Sequence, residues 1–117
     1  MAAASEFTEY VLGQLEPAGA VRSRRMFGGT GVYVDEVFCA IITGSGRFYL
    51  RVDDSNRADF EAEGMEQFPG RGDSLMPYFE VPAQVLEDVQ ELEAWVGKAR
   101  KAAIAARKAK PTRKRRR

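Results

Sequence analysis

The sequence predicts an α+β fold of two layers, an antiparallel β-meander sheet with helices packed on one side. Two observations carry this reading. Between residues 21 and 52, four short runs rich in β-branched and aromatic residues are separated only by tight turn formers. Stretches with helical apolar spacing then stand at both ends of the chain and once between strands, giving the order α-β-β-β-β-α-β-α. At 117 residues there is room for one modest core. The expected organisation is therefore a single domain, residues 1–106, and a basic disordered tail, residues 107–117.

The first helix is expected to be capped by Ser5, with Phe7, Val11, Leu12 and Leu15 on one face, and to stop at Glu16 before Pro17. Residues 21–27 carry Arg22, Arg24 and Arg25 between apolar ends and read as an edge strand with its arginines outward. Gly28, Gly29 and Gly31 allow a tight turn or bulge into Val32-Tyr33-Val34, and Asp35-Glu36 turn the chain again. Residues 37–43, almost continuously apolar, are the expected central strand. A Gly44-Ser45-Gly46 hairpin leads to strand 47–52. Asp53-Asp54-Ser55 should open a helix reaching Glu63, with Ala58 and residues 60–62 inward and Gly64 as its stop. Residues 65–75 read as a loop and 76–81 as a strand that Pro77 and Pro82 confine to an edge or to its own ends. After a short turn at 83–86, Asp88 is a plausible cap for a last helix with the stripe Leu92, Trp95, Val96, Ala99 and Ala103. Pro111 ends that helix.

Charge is distributed unevenly. The whole chain has 18 Lys+Arg and 17 Asp+Glu, a formal charge of +1. Eleven of the cations lie between Lys98 and Arg117, where there is no acid, so the preceding 97 residues hold seven arginines against all seventeen acids and carry −10. Such asymmetry points to a polyanion-binding or self-associating arm. Arg107, Lys108, Lys110, Arg113, Lys114, Arg115, Arg116 and Arg117 are the candidate nucleic-acid contacts. No apolar run is long enough to span a bilayer, and the amino end has no export signal, so no membrane partner and a cytoplasmic location are expected.

Familiar site chemistries find no foothold. The chain has no histidine, and Cys39 is its single cysteine, placed in the most apolar strand. The 28–31 glycines precede a strand rather than a helix and lack the Gly-Lys-Ser/Thr of a phosphate loop. The acids from Asp53 to Glu66 do not follow calcium-loop spacing. Arg71-Gly72-Asp73 is read as chance. Neither an enzyme nor a cofactor is expected. Phe27, Phe38, Phe48 and Trp95 are read as core. Tyr33, Tyr49 and Tyr78, sharing a face with Arg22, Arg24, Arg47 and Arg51, would make an aromatic and cationic surface suited to binding.

The run Arg25-Met26-Phe27-Gly28-Gly29, followed by Gly31, Tyr33, Phe38-Cys39-Ala40-Ile41, Leu50, Gly64, Phe68, Tyr78, Pro82, Leu86 and Leu92-x-x-Trp95, resembles the amino-terminal domain of TfoX (Sxy) competence regulators over roughly residues 5–106. The resemblance implies a fold similar to the type III secretion chaperone-like α+β group and a non-enzymatic regulatory or adaptor role in DNA uptake. It further implies a protein partner in transcription and, as such folds often dimerise, a candidate homodimer. It transfers no catalytic residues. Arg25, Met26, Phe27, Gly28, Gly29 and Gly31 are its signature, as hairpin structure or as a partner surface.

Overall fold

Hydrogen bonding between neighbours in sequence builds most of the sheet. The computed structural model describes residues 2–26, 28–69 and 75–109. Phe27, the Arg71–Asp73 tripeptide, Pro111 and the six cations from Lys110 to Arg117 lie outside the described residues. The elements are α1 (Ala2–Leu15), β1 (Val21–Met26), β2 (Gly29–Val34), β3 (Val37–Ile42), β4 (Phe48–Arg51), α2 (Arg57–Ala62), β5 (Gln67–Pro69), β6 (Leu75–Glu80), α3 (Ala83–Glu87) and α4 (Val89–Ala109). All strand pairs are antiparallel, in the order β1-β2-β3-β4-β6-β5. The α+β class and the β1 to β4 meander are as the sequence predicts.

One sheet face carries the core. Val32, Ala40, Leu50 and Phe79 follow one another across the strand register and are all buried, together with Val11 and Leu15 of α1 and Leu92, Val96, Ala99 and Ala103 of α4. Phe7, Leu12, Trp95 and Ile104 pack at its margin. Asp88 caps α4 as expected, its Oδ1 accepting from the backbone N–H groups of Gln90 and Glu91 at 3.1 and 3.2 Å. β1 is an edge strand whose Arg22, Arg24 and Arg25 are exposed.

Several local expectations are corrected. α1 begins at Ala2, so Ser5 lies inside it instead of capping it. Of the residues expected to turn α2 inward, only Phe60 is buried, because a helix of six residues presents a single position to the core. Residues 67–69, read as loop, form edge strand β5: Gln67 pairs with Phe79, and its side-chain amide donates to the Met76 carbonyl at 2.9 Å. The turn at 83–86 is the short helix α3. α4 continues through Arg107 and Lys108 to Ala109, so these two cations are helical and not part of a disordered tail.

The expectation that Pro77 confines its strand to an edge or an end is corrected, because β6 lies between β4 and β5 with Pro77 inside it. The Pro77 carbonyl accepts from the Val52 N–H at 2.9 Å, but proline has no hydrogen to return, and β4 stops at Arg51. Just beyond, Asn56 is the one buried polar residue among those described. Its amide donates to the Arg51 carbonyl at 3.0 Å and accepts from the Asp53 N–H at 2.8 Å, so the strand-to-helix corner leaves both backbone groups paired.

Candidate functional site

The glycine signature is built for close backbone approach. Gly28 sits at φ +76°, in the left-handed region. A Cβ on Gly29 would lie 2.5 Å from the Ile42 carbonyl oxygen, and one on Gly44 would lie 2.6 Å from that of Gly28. The β1–β2 hairpin and the start of the β3–β4 hairpin thus press backbone on backbone. Gly31 is restricted by side chains, since its Cβ would meet Met26 Cε at 2.6 Å and Phe38 Cε1 at 2.8 Å. A polar cleft of about 410 Å³ lies beside this contact, lined by Thr8 and Glu9 of α1 and by Arg24, Arg25, Gly28 and Thr43 among others. Arg25 is therefore exposed beside it, while Met26 is half-buried under the hairpin.

A second cluster gathers on the sheet face opposite the core. Between Val32↔Ala40 and Tyr33↔Phe38 the β2–β3 register skips Cys39, so two residues of β3 stand against one of β2. This bulge changes the alternation and turns Phe38 onto the same face as Tyr33. Phe38, expected in the core, is accordingly half-exposed and stacks between Tyr33 and Tyr78, with ring centroids at 5.2 and 6.2 Å. Guanidinium groups close both ends of the row: Arg22 lies 4.5 Å over the Tyr33 ring and Arg51 5.7 Å over that of Tyr78. Arg22 also pairs with Glu36 at 2.8 Å, and that hydrogen bond raises the guanidinium pKa. Arg47 is engaged separately with Glu80 at 3.1 Å, and Tyr49 packs edge-on against Phe68.

The expected aromatic and cationic surface is therefore assembled only in part: Tyr33, Tyr78, Arg22 and Arg51 join the row, whereas Tyr49 packs on Phe68, Arg47 pairs with Glu80 and Arg24 lines the other cleft, and Tyr49 and Tyr78 are themselves buried. Burial raises the Tyr78 phenol pKa, opposed by its hydrogen bond with Arg51. Beside the row, Tyr33, Glu36, Phe38 and Arg51 line a cleft of about 390 Å³ together with Ala103, Ala106 and Arg107 of α4. Of the candidate nucleic-acid contacts, Arg107 is brought to this cleft and Lys108 is exposed on the same last turn. Lys110, Arg113, Lys114, Arg115, Arg116 and Arg117 lie outside the described residues. Sequence reading missed Phe38 because an uninterrupted apolar run shows no period. It missed the cleft because only the shrinkage of the α4 stripe to alanine beyond Lys98 signals room there.

Cys39, at the bulge, is fully buried and free. Desolvation pushes its thiol up to about 12, with Arg100 and the Val34 backbone pulling the other way. The unfolded thiol ionises near 9.0. A folded pKa above the unfolded one gives stability that is complete below pH 9 and lost as pH rises toward 12. Urea titrations between pH 8 and 11 should show this decline, and Cys39→Ala should flatten it while lowering stability at pH 8. An unchanged slope would contradict burial as the cause. Tyr49 and Tyr78, also raised by burial, contribute the same sign above pH 10 in both proteins.

No helix among the described residues is long and apolar enough to cross a membrane. A search of curated proteins finds no match. The family model for the TfoX N-terminal domain matches residues 13–103, spanning the sheet, the glycine signature and α4 as far as the cleft. The chain belongs to the TfoX N-terminal domain family.

Proposed function

We propose that the chain is a non-enzymatic, cytoplasmic regulatory or adaptor domain acting in transcriptional control of DNA uptake, and that its basic carboxy-terminal run contacts nucleic acid. One observation carries the nucleic-acid part. Beyond Ala103 no described residue of α4 is fully buried and only Ile104 packs at the core margin, yet the helix continues to Ala109, with Arg107 and Lys108 exposed and six further cations following in the sequence. A phosphate backbone meeting these residues would have its charge neutralised by them.

Duplex binding should be sequence-blind and salt-limited. Each phosphate neutralised contributes about −0.9 to the slope of log affinity against log salt, so full use of residues 107–117 gives a slope of about −7. Truncation after Ala106, which keeps Lys98, Arg100 and Lys101, should remove most of that slope. Equal binding by the two forms across a salt series would refute the role given to the run.

A dimeric interaction module without DNA binding is the second reading, favoured by the six-residue edge strand β1. Self-pairing there would oppose Arg22, Arg24 and Arg25 to their own copies, which disfavours it. Light scattering decides this reading: a mass that rises with concentration supports it, and a constant monomer excludes it.

A further inference from the structure

We infer that the cleft between the Tyr33-Phe38 rings and the end of α4 receives one unpaired nucleotide of a single-stranded nucleic acid, a deepening that rests on the nucleic-acid reading above. The cleft's volume of about 390 Å³ suits one small planar group with its substituent. Its walls divide by chemistry. Tyr33, Phe38, Ala103 and Ala106 supply aromatic and small apolar surface, which any base can contact through its π-face. Arg51 and Arg107 supply guanidinium groups, the side chains best matched to phosphate oxygens.

Charge selects an anion. Among the described residues neither Arg51 nor Arg107 forms an ion pair, and the buried Nε of Arg51 has no hydrogen-bond partner. Glu36 also lines the cleft, and its carboxylate is paired with Arg22. The last carbonyls of α4 bear partial negative charge, so attraction depends on these two guanidinium groups and on Lys108 beside them.

A strand is favoured over a free anion because Arg107 is the first of eight basic residues in the sequence from 107 to 117, more positive charge than a mononucleotide can neutralise and a match for the several phosphates of a strand. A duplex cannot insert a base without unpairing it, so the cleft confers a preference for single strands.

The test uses the full chain with fluorescently labelled oligo-dT and a duplex of equal length, titrated by anisotropy at one salt concentration. The single strand should bind about tenfold more tightly. Ala106→Trp, which fills the cleft without altering charge, and Tyr33→Leu should each bring single-strand affinity down to the duplex value and leave duplex binding unchanged. Thermal melting identifies either variant that fails to fold, and the other then carries the comparison. Unlabelled thymidine monophosphate should displace the strand only at far higher concentration than unlabelled oligo-dT. Equal affinity for single strand and duplex, or a preference that survives Ala106→Trp, overturns the cleft and leaves the nucleic-acid reading intact. Displacement by the monophosphate as efficiently as by oligo-dT shows a free-nucleotide pocket and overturns the strand. Binding of neither polymer overturns both.

Discussion

Phe60→Ala is expected to cost about 3–5 kcal/mol, the largest loss from any single core truncation in this domain. Phe60 is 1% exposed and is the buried side chain of α2. It meets Trp95 edge-on, ring centroids 4.7 Å apart, and Phe79 at 5.7 Å, so one ring ties α2 to both α4 and the sheet. A helix of six residues has no independent stability, since nucleation costs more than its few hydrogen bonds return. Without the ring, the surface Lys98–Asp59 pair at 2.8 Å cannot hold α2, because pairs of that exposure contribute about 1 kcal/mol or less. Against a total of about 5–15 kcal/mol, the loss should move the urea midpoint down by roughly a fifth or more. Amide exchange over residues 57–66 should quicken beyond the change elsewhere. Phe60→Leu, which keeps most of the volume, should cost under about 1.5 kcal/mol. Denaturation of Phe60→Ala within 1 kcal/mol of wild type would show that α2 is anchored by something else.

Gly29→Ala should lower stability by about 3 kcal/mol, equivalent to a fall in melting temperature on the order of 15 °C. The added methyl meets backbone on every side, with Ile42 O at 2.5 Å, Thr43 Cα at 3.2 Å and Gly44 N at 3.4 Å. No side chain can rotate away, so the β1–β2 hairpin must lift from the β3–β4 corner. Gly28→Ala has open space but a left-handed backbone, and should cost roughly 1–2 kcal/mol. Gly13 in α1 and Gly97 in α4 are the controls, for a Cβ there meets nothing within 4 Å, and alanine should stabilise each helix by up to about 1 kcal/mol. Thermal melts of the four variants check the series. A Gly29→Ala protein as stable as Gly13→Ala would mean that the signature glycines are kept for a ligand and not for the hairpin contact.

Much of the architecture could be read locally. The arginines of β1 mark an edge because a strand with charge at alternate and adjacent positions cannot be buried on both faces, and it lies at one. Asp88 and the Leu92-Val96-Ala99-Ala103 stripe locate α4, and the apolar setting of Cys39 announces a buried thiol. β5 escaped because Gln67-Phe68-Pro69 has no strand pattern of its own. It exists through bonds to a distant segment, including the Glu80 N–H donated to the Glu66 carbonyl at 3.0 Å. Ala58 and Ala62 were turned inward by a helical period that six residues are too few to establish.

By itself the sequence determined the α+β class, the meander, the division into a −10 body and a +11 end, and the family signature, since composition, turn chemistry and periodicity act between near neighbours. Only the tertiary structure decided that Phe38 leaves the core, that Arg51 and Arg107 converge, and that the alanines of α4 leave a cleft between them. Those features depend on one skipped residue in the β2–β3 hairpin register, which the apolar run of β3 does not reveal, and on the path of α4, which is set by packing against strands far from it in the chain.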